Sequence, residues 1–133
     1  MSEACLLLPK IYLRPAELVI AEEPTIVTTV LGSCISVVLF SPRLKIGAIS
    51  HATMPSGQEE NASKYADQSV LYLVDEFQRR GIKRQETVVK LFGGADMFTL
   101  QDTASKEKSV GALNVSVALK TLKQVGYDPR VTD

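Results

Sequence analysis

The sequence is short of the residues that build metal sites and disulfide frameworks. It contains no tryptophan, one histidine (His51) and two cysteines (Cys5 and Cys34), with no CxxC spacing. A structural zinc site needs four Cys or His ligands, so this supply argues against one. Two cysteines do not form a disulfide framework either, and they predict a reducing compartment, the cytoplasm.

Net charge and long apolar runs are also absent. Lysine plus arginine number 15 and aspartate plus glutamate number 15, so the formal net charge is zero. Nucleic acids and acidic membranes attract basic surfaces, and the balance argues against either as the main partner. The sequence has no run of ~18 apolar residues, so no membrane-spanning helix is predicted. The N-terminus also lacks the basic start and the long apolar run of a signal peptide.

The 133 residues, of which 45% are hydrophobic, predict one globular domain over 1–133. β-Branched runs predict four strands, and apolar residues at helical spacing predict two helices that each bury one face. The strands are placed at 26–31, 34–40, 45–50 and 87–92, and the helices at 63–80 and 110–125. Residues 1–24 are expected to be an irregular lead-in with short extended pieces, of which 6–8 and 11–13 could each form part of an edge strand. Single-striped helices must cover a sheet, so the fold class is α/β, a layered sandwich with a mixed sheet. Short connections predict that the first three strands are antiparallel neighbours.

The stretch with chemical content runs from Thr28 to Pro55. Cys34 directly follows Gly32-Ser33 and begins the strand at 34–40, and His51 lies at the end of the next strand along the chain. A hairpin turning at 41–44 pairs positions that sum to 85, which sets Cys34 opposite His51. A thiol is a weak nucleophile until a base takes its proton, and an adjacent imidazole is such a base.

A catalytic histidine usually needs a third group to hold its ring. Thr28 lies six residues before Cys34, so an extended backbone places it on the same face, whereas Thr29 would point the other way. A catalytic Cys34 is expected to react with alkylating agents below the ordinary thiol pKa of ~8.5.

Simpler interpretations remain open for each residue. A lone cysteine is often a small buried apolar residue, and a lone histidine is often a surface or hydrogen-bonded core residue. Gly93-Gly94 follows a strand without the GK[ST] of a phosphate loop, so a plain glycine turn is favoured. Asp96 and Asp102 have no partner at a useful spacing.

Four segments together resemble the chemoreceptor glutamine deamidases, the CheD family. They are LGSC (31–34), GAISHATMP (47–55), KYAD (64–67) and KLFGGADMF (90–98). They occur in the family's order and spacing, and the resemblance covers about residues 25–126. The combination of the LGSC…H…P and KLFGGA segments is specific to that family.

The resemblance implies a layered α/β sandwich related to cysteine-dependent toxin deamidases. It implies that Cys34 is the nucleophile, His51 the general acid and base, and Thr28 the residue that supports the histidine, with backbone at Gly32 and Ser33 stabilising the oxyanion. The implied reaction converts particular glutamines of methyl-accepting chemotaxis receptors to glutamate, with no metal and no organic cofactor. A CheC-type phosphatase is a further implied partner.

Two departures from the family pattern leave a rival function open. Leu113 stands where the family usually has arginine, and the chain stops at Asp133, which is C-terminally short relative to the family. An open sheet edge there invites a dimer. The rival is a catalytically inactive docking module that regulates a chemotaxis phosphatase or receptor. A third possibility, a redox-sensing thiol, requires Cys5 to approach Cys34.

Overall fold

A computed structural model describes residues 7–58, 60–95, 109–129 and 131–132. The order of elements is three short strands, a hairpin, a helix, a strand, a helix and a final short strand. The strands are β1 Lys10–Tyr12, β2 Leu18–Ala21, β3 Ile26–Thr28, β4 Ile35–Ser41, β5 Ile46–Ser50, β6 Val88–Gly93 and β7 Val131–Thr132, and the helices are α1 Ala66–Arg79 and α2 Val110–Gln124. Cys5, Asp96 and Asp102 lie outside the described residues.

The main sheet has five described strands in the order β2-β5-β4-β6-β7. The β2–β5, β5–β4 and β4–β6 pairs are antiparallel and β6–β7 is parallel, so the sheet is mixed as expected. Both helices pack against it, which confirms the α/β class. No helix in the described ranges is long and apolar enough to cross a membrane.

The strand predicted at 26–31 forms as β3, but the prediction that it neighbours the next strand was wrong. β3 does not neighbour β4, but pairs in parallel with β1 in a separate two-stranded sheet. The reason is that a strand has two edges, and β5 and β6 occupy both edges of β4. β2, which lies in the segment expected to be irregular, instead forms the other neighbour of β5.

The hairpin between β4 and β5 forms, but its register differs from the expected one. Paired residues sum to 87 rather than 85, as in Val38 with Ile49. The turn lies one residue later than expected, because Lys45 adopts a left-handed conformation (φ 56°) and its N–H donates to the Ser41 carbonyl at 2.7 Å.

The core lies between the helices and one face of the sheet. The predicted apolar stripe of α1 is confirmed, since its five members are all buried: Ala66, Val70, Leu73, Val74 and Phe77. They pack with Ile35, Val37 and Leu39 of β4. Because side chains alternate along a strand, the intervening residues of β4 face the opposite side of the sheet, where the candidate site lies.

Candidate active site

Cys34 and His51 share one face of the hairpin despite the change of register. Beyond the main ladder, Ile35 and Ala52 exchange two backbone hydrogen bonds of 2.9 Å, and both side chains are in the core. Cys34 and His51 precede these residues on their strands, so both point to the other face. A change of two residues in the pairing register leaves every side chain on the same face of the sheet, because side chains alternate with a period of two along a strand. His51 therefore lies diagonal to Cys34 rather than opposite it, and Ser36 takes the opposite position.

The backbone of His51 is held by the segment before β2. The His51 N–H donates to the Glu17 carbonyl at 2.9 Å, and the His51 carbonyl accepts from the Ala16 N–H at 2.8 Å. The side chain of His51 is buried. A fixed backbone and a buried side chain leave the imidazole little freedom to move.

The hydroxyl that contacts the imidazole belongs to Thr29, not to the predicted Thr28. Thr29 Oγ1 lies 2.8 Å from His51 Nδ1 and donates to the Leu13 carbonyl at 2.8 Å. Thr28 is exposed at the end of β3, where its backbone carbonyl accepts from the Leu13 N–H. The prediction assumed an extended chain from Thr28 to Cys34, but strand geometry ends at Thr28, so the alternation rule does not apply across this segment.

The two contacts of Thr29 assign the tautomer of His51. A hydroxyl has one proton, and that proton goes to the Leu13 carbonyl. Oγ1 therefore accepts from Nδ1–H, and the neutral ring keeps its lone pair on Nε2. Nε2 is buried and has no hydrogen-bond partner among the described residues, so the position that a general base needs is unoccupied.

Burial keeps both members of the pair neutral at rest. It lowers the pKa of His51, an effect that a hydrogen bond to the Leu13 carbonyl partly offsets. It raises the pKa of the Cys34 thiol, and the residue's own backbone N–H partly offsets this. These directions run against the expected early alkylation of Cys34. They fit a base that removes the thiol proton as attack begins, rather than a preformed ion pair.

The two residues that follow β6 hold the segment that carries Cys34. The Gly94 N–H donates to the Cys34 carbonyl at 2.8 Å, and the Ala95 N–H donates to the Gly32 carbonyl at 2.9 Å. Gly93 has φ 95°, and a Cβ there would lie 2.3 Å from the Cys34 carbonyl oxygen. The structure places Gly93 at the end of β6 and Gly94 directly after it, rather than in the plain turn that was expected, and the position of both against the nucleophile was not foreseen. The GGA sequence after a strand was the available signal.

Gly32 and Ser33, the predicted backbone support, form the bend before Cys34. The Ser33 carbonyl accepts from the side chain of Asn114, which is fully buried in α2. Leu113, the departure from the family pattern, is exposed on the same helix. Sequence reasoning missed Leu13, Thr29 and Asn114, because their roles depend on contacts between distant segments.

Comparison with known proteins gives a consistent result. Residues 50–133 match the family model described as "CheD chemotactic sensory transduction". The chain is 42% identical over 126 residues to a probable chemoreceptor glutamine deamidase CheD 2 of Geobacter sulfurreducens, covering 95% of this chain and 77% of that protein. It is 36% identical to the chemoreceptor glutamine deamidase CheD of Thermotoga maritima, covering 83% of this chain and 69% of that protein.

The fold is also similar to that of a solved structure. It is the Bacillus licheniformis hypothetical protein YfiH, with a TM-score of 0.51 and 12% sequence identity. The alignment covers 86% of this chain and 49% of that one.

Proposed function

The chain belongs to the CheD family, and from this premise we propose that it is a chemoreceptor glutamine deamidase, a cysteine-dependent protein-glutamine amidohydrolase. Its substrates are glutamine side chains of methyl-accepting chemotaxis receptors. The observation that carries the proposal is the hydrogen bond between Thr29 and His51, which leaves the Nε2 lone pair unused on the face of the hairpin that bears Cys34.

The reaction begins with proton transfer from the Cys34 thiol to His51 Nε2. The sulfur attacks the carboxamide carbon of glutamine, and the carbonyl electrons move to oxygen to form a tetrahedral oxyanion. The imidazolium is stabilised by its Nδ1–H bond to Thr29. Because His51 is neutral at rest, it can accept this proton at neutral pH.

Collapse of the tetrahedral intermediate breaks the bond from carbon to nitrogen. His51 gives its proton to the departing amine, so that ammonia leaves and Cys34 holds a thioester. His51, neutral again, takes a proton from water as the hydroxyl oxygen attacks the thioester. A second collapse releases glutamate and returns the proton to sulfur.

Several finer points rest on the family resemblance. We infer a single deamidase domain, a fold related to cysteine-dependent toxin deamidases, and a place in the cytoplasm, where a free thiol such as Cys34 persists. A CheC-type phosphatase is a proposed partner. A dimer is also proposed, because β2 pairs on one side only among the described strands and such edges pair readily.

The test is deamidation of a purified chemoreceptor cytoplasmic fragment, followed by ammonia release and peptide mass spectrometry. Wild type is expected to convert specific glutamines to glutamate, and neither Cys34→Ala nor His51→Ala is expected to do so. Hydroxylamine added during turnover should trap the thioester as a glutamyl hydroxamate on the same receptor positions. Conversion that survives in Cys34→Ala, or no conversion by a folded wild type on receptors of its own cell, would refute the proposal.

A further inference from the structure

Asn114 connects α2 to both strand ends of the candidate site. Its side-chain amide donates to the Ser33 carbonyl at 2.9 Å and to the Thr53 carbonyl at 3.3 Å. Ser33 immediately precedes Cys34, and Thr53 lies two residues after His51. One buried amide group therefore ties together the backbone beside each member of the pair.

The contact with Ser33 completes a set of three. The carbonyls of Gly32, Ser33 and Cys34 accept hydrogen bonds from the Ala95 N–H, the Asn114 side chain and the Gly94 N–H, respectively. Two of these donors are backbone groups of the two residues that follow β6. The orientation of the middle carbonyl depends on the Asn114 side chain.

The orientation of that carbonyl determines where the next N–H points. No described peptide bond is cis, and in a trans peptide the N–H points opposite to the C=O of the same plane. With the Ser33 carbonyl directed at α2, the Cys34 N–H is directed away from α2, toward the face that carries the Cys34 side chain. No backbone carbonyl in the described part of the chain accepts from this N–H, and the group that it approaches is the residue's own sulfur.

We propose that Asn114 is a positioning residue for the reaction. By holding the Ser33 carbonyl, it fixes the Ser33–Cys34 peptide so that the Cys34 N–H serves as an oxyanion donor. The inference rests on the proposed function, since an oxyanion forms only when Cys34 attacks a carbonyl. Preorganised donors of this kind act because they need no reorientation as charge develops.

The bonding of Asn114 favours a positioning role over a contribution to stability. Its Oδ1 is buried and has no partner among the described residues. A buried acceptor without a partner destabilises a fold, and an apolar side chain would avoid that cost at this fully buried position. Among the described residues only the donor half of this amide is used, and that half contacts the site.

The test compares two reactions of Cys34 in Asn114→Leu, which removes the donors at similar volume. Acylation by an aryl ester passes through an oxyanion, whereas alkylation by iodoacetamide displaces iodide at a saturated carbon and forms none. Loss of an oxyanion donor costs ~100- to 1,000-fold in rate, and we expect the variant to lose ~30-fold or more in acylation with alkylation changed less than ~3-fold.

Thr121→Val is the matched control. Thr121 is also a buried polar residue of α2, but its hydroxyl donates to the Val117 carbonyl of the same helix at 2.7 Å. Both reactions should stay near wild-type rates in this variant. All rates are expressed per mole of folded protein, and Asn114→Ala, which cannot overpack the site, replaces Asn114→Leu if the latter does not fold.

The inference is overturned if acylation and alkylation fall by the same factor in the Asn114 variants, or if neither falls. The ester assay requires no receptor, so the failures are distinguishable. A wild type that is acylated by ester but does not deamidate receptors refutes the proposed function, and the ratio of the two rates in the variants still decides the role of Asn114.

Discussion

Replacing Thr29 by valine tests how the imidazole is held. Valine has nearly the shape of threonine but lacks the hydroxyl, which bonds both His51 Nδ1 and the Leu13 carbonyl at 2.8 Å. The variant leaves Nδ1–H and that carbonyl without this partner. The ring then keeps only its interaction with the Leu13 carbonyl to favour the tautomer with a free lone pair on Nε2.

The expected loss follows from the charge that develops on His51. In the transition state the imidazole becomes an imidazolium, and hydrogen bonds to charged groups contribute ~1.5–3 kcal/mol. Since ~1.4 kcal/mol corresponds to a tenfold change in rate, kcat for deamidation should fall ~10- to 100-fold. A carboxylate in this role contributes more, because triad variants that lose the correct tautomer fall ~10,000-fold.

Thr28→Val is the matched control, since it makes the same chemical change one residue away. Thr28 is exposed and uses its backbone, not its hydroxyl, to bond Leu13. Its kcat should stay within ~2-fold of wild type, as expected for a surface change. Both variants would be assayed on the receptor fragment, with folding checked by thermal unfolding. If Thr28→Val loses activity and Thr29→Val does not, the assignment of the supporting hydroxyl is wrong.

Three further predictions concern stability and pH. Gly81 and Gly94 have nearly the same left-handed φ, 74° and 73°. A Cβ added at Gly81 would meet nothing within 4 Å, whereas one at Gly94 would lie 2.2 Å from a valine methyl group of α2. In urea unfolding, Gly81→Ala should lower the free energy of unfolding by ~1–2 kcal/mol through left-handed strain, and Gly94→Ala by ~1–3 kcal/mol more through overpacking. Because burial raises the pKa of Cys34, its iodoacetamide reactivity should rise with pH only above the ordinary thiol range of ~8.5, and a rise near pH 6 would contradict the neutral resting pair. The guanidinium of Arg43 holds the pKa of Glu86 at about 2. A carboxyl group with a lowered pKa stabilises the fold at pH values above its ordinary pKa, and this stabilisation is lost as the pH falls toward 2. The Tm deficit of Glu86→Gln should therefore be present at pH 7 and shrink between pH ~4.5 and ~2, whereas a constant deficit would exclude the ion pair as its cause.

The elements with strong periodicity were predictable. The alternating runs of β4 and β5 and the apolar stripe of α1 formed at nearly the predicted positions, because local pattern and burial agree there. The predicted register of the hairpin was wrong by two residues, an error that leaves the predicted facing of Cys34 and His51 unchanged. β2 was missed because its four residues carry little local signal and are stabilised by pairing with β5.

The sequence by itself determined the chemistry that is available. It contains one histidine and one thiol beside a Gly-Ser bend, and it places them on adjoining strands of a hairpin. Strand periodicity is a local property, so it can bring these two residues to the same face without knowledge of the rest of the fold.

Only the tertiary structure decided which groups orient that pair. Leu13 and Thr29, which directly follow the two strands of the smaller sheet, reach His51. Asn114 reaches Ser33 from a helix 81 positions along the chain. The strength of a hydrogen bond changes when the donor–acceptor distance changes by a few tenths of an ångström, and it also depends on the angle at the hydrogen. Two adjacent threonines are nearly equivalent in composition and pattern, and only the path of the folded chain brings the hydroxyl of Thr29, rather than that of Thr28, to the imidazole.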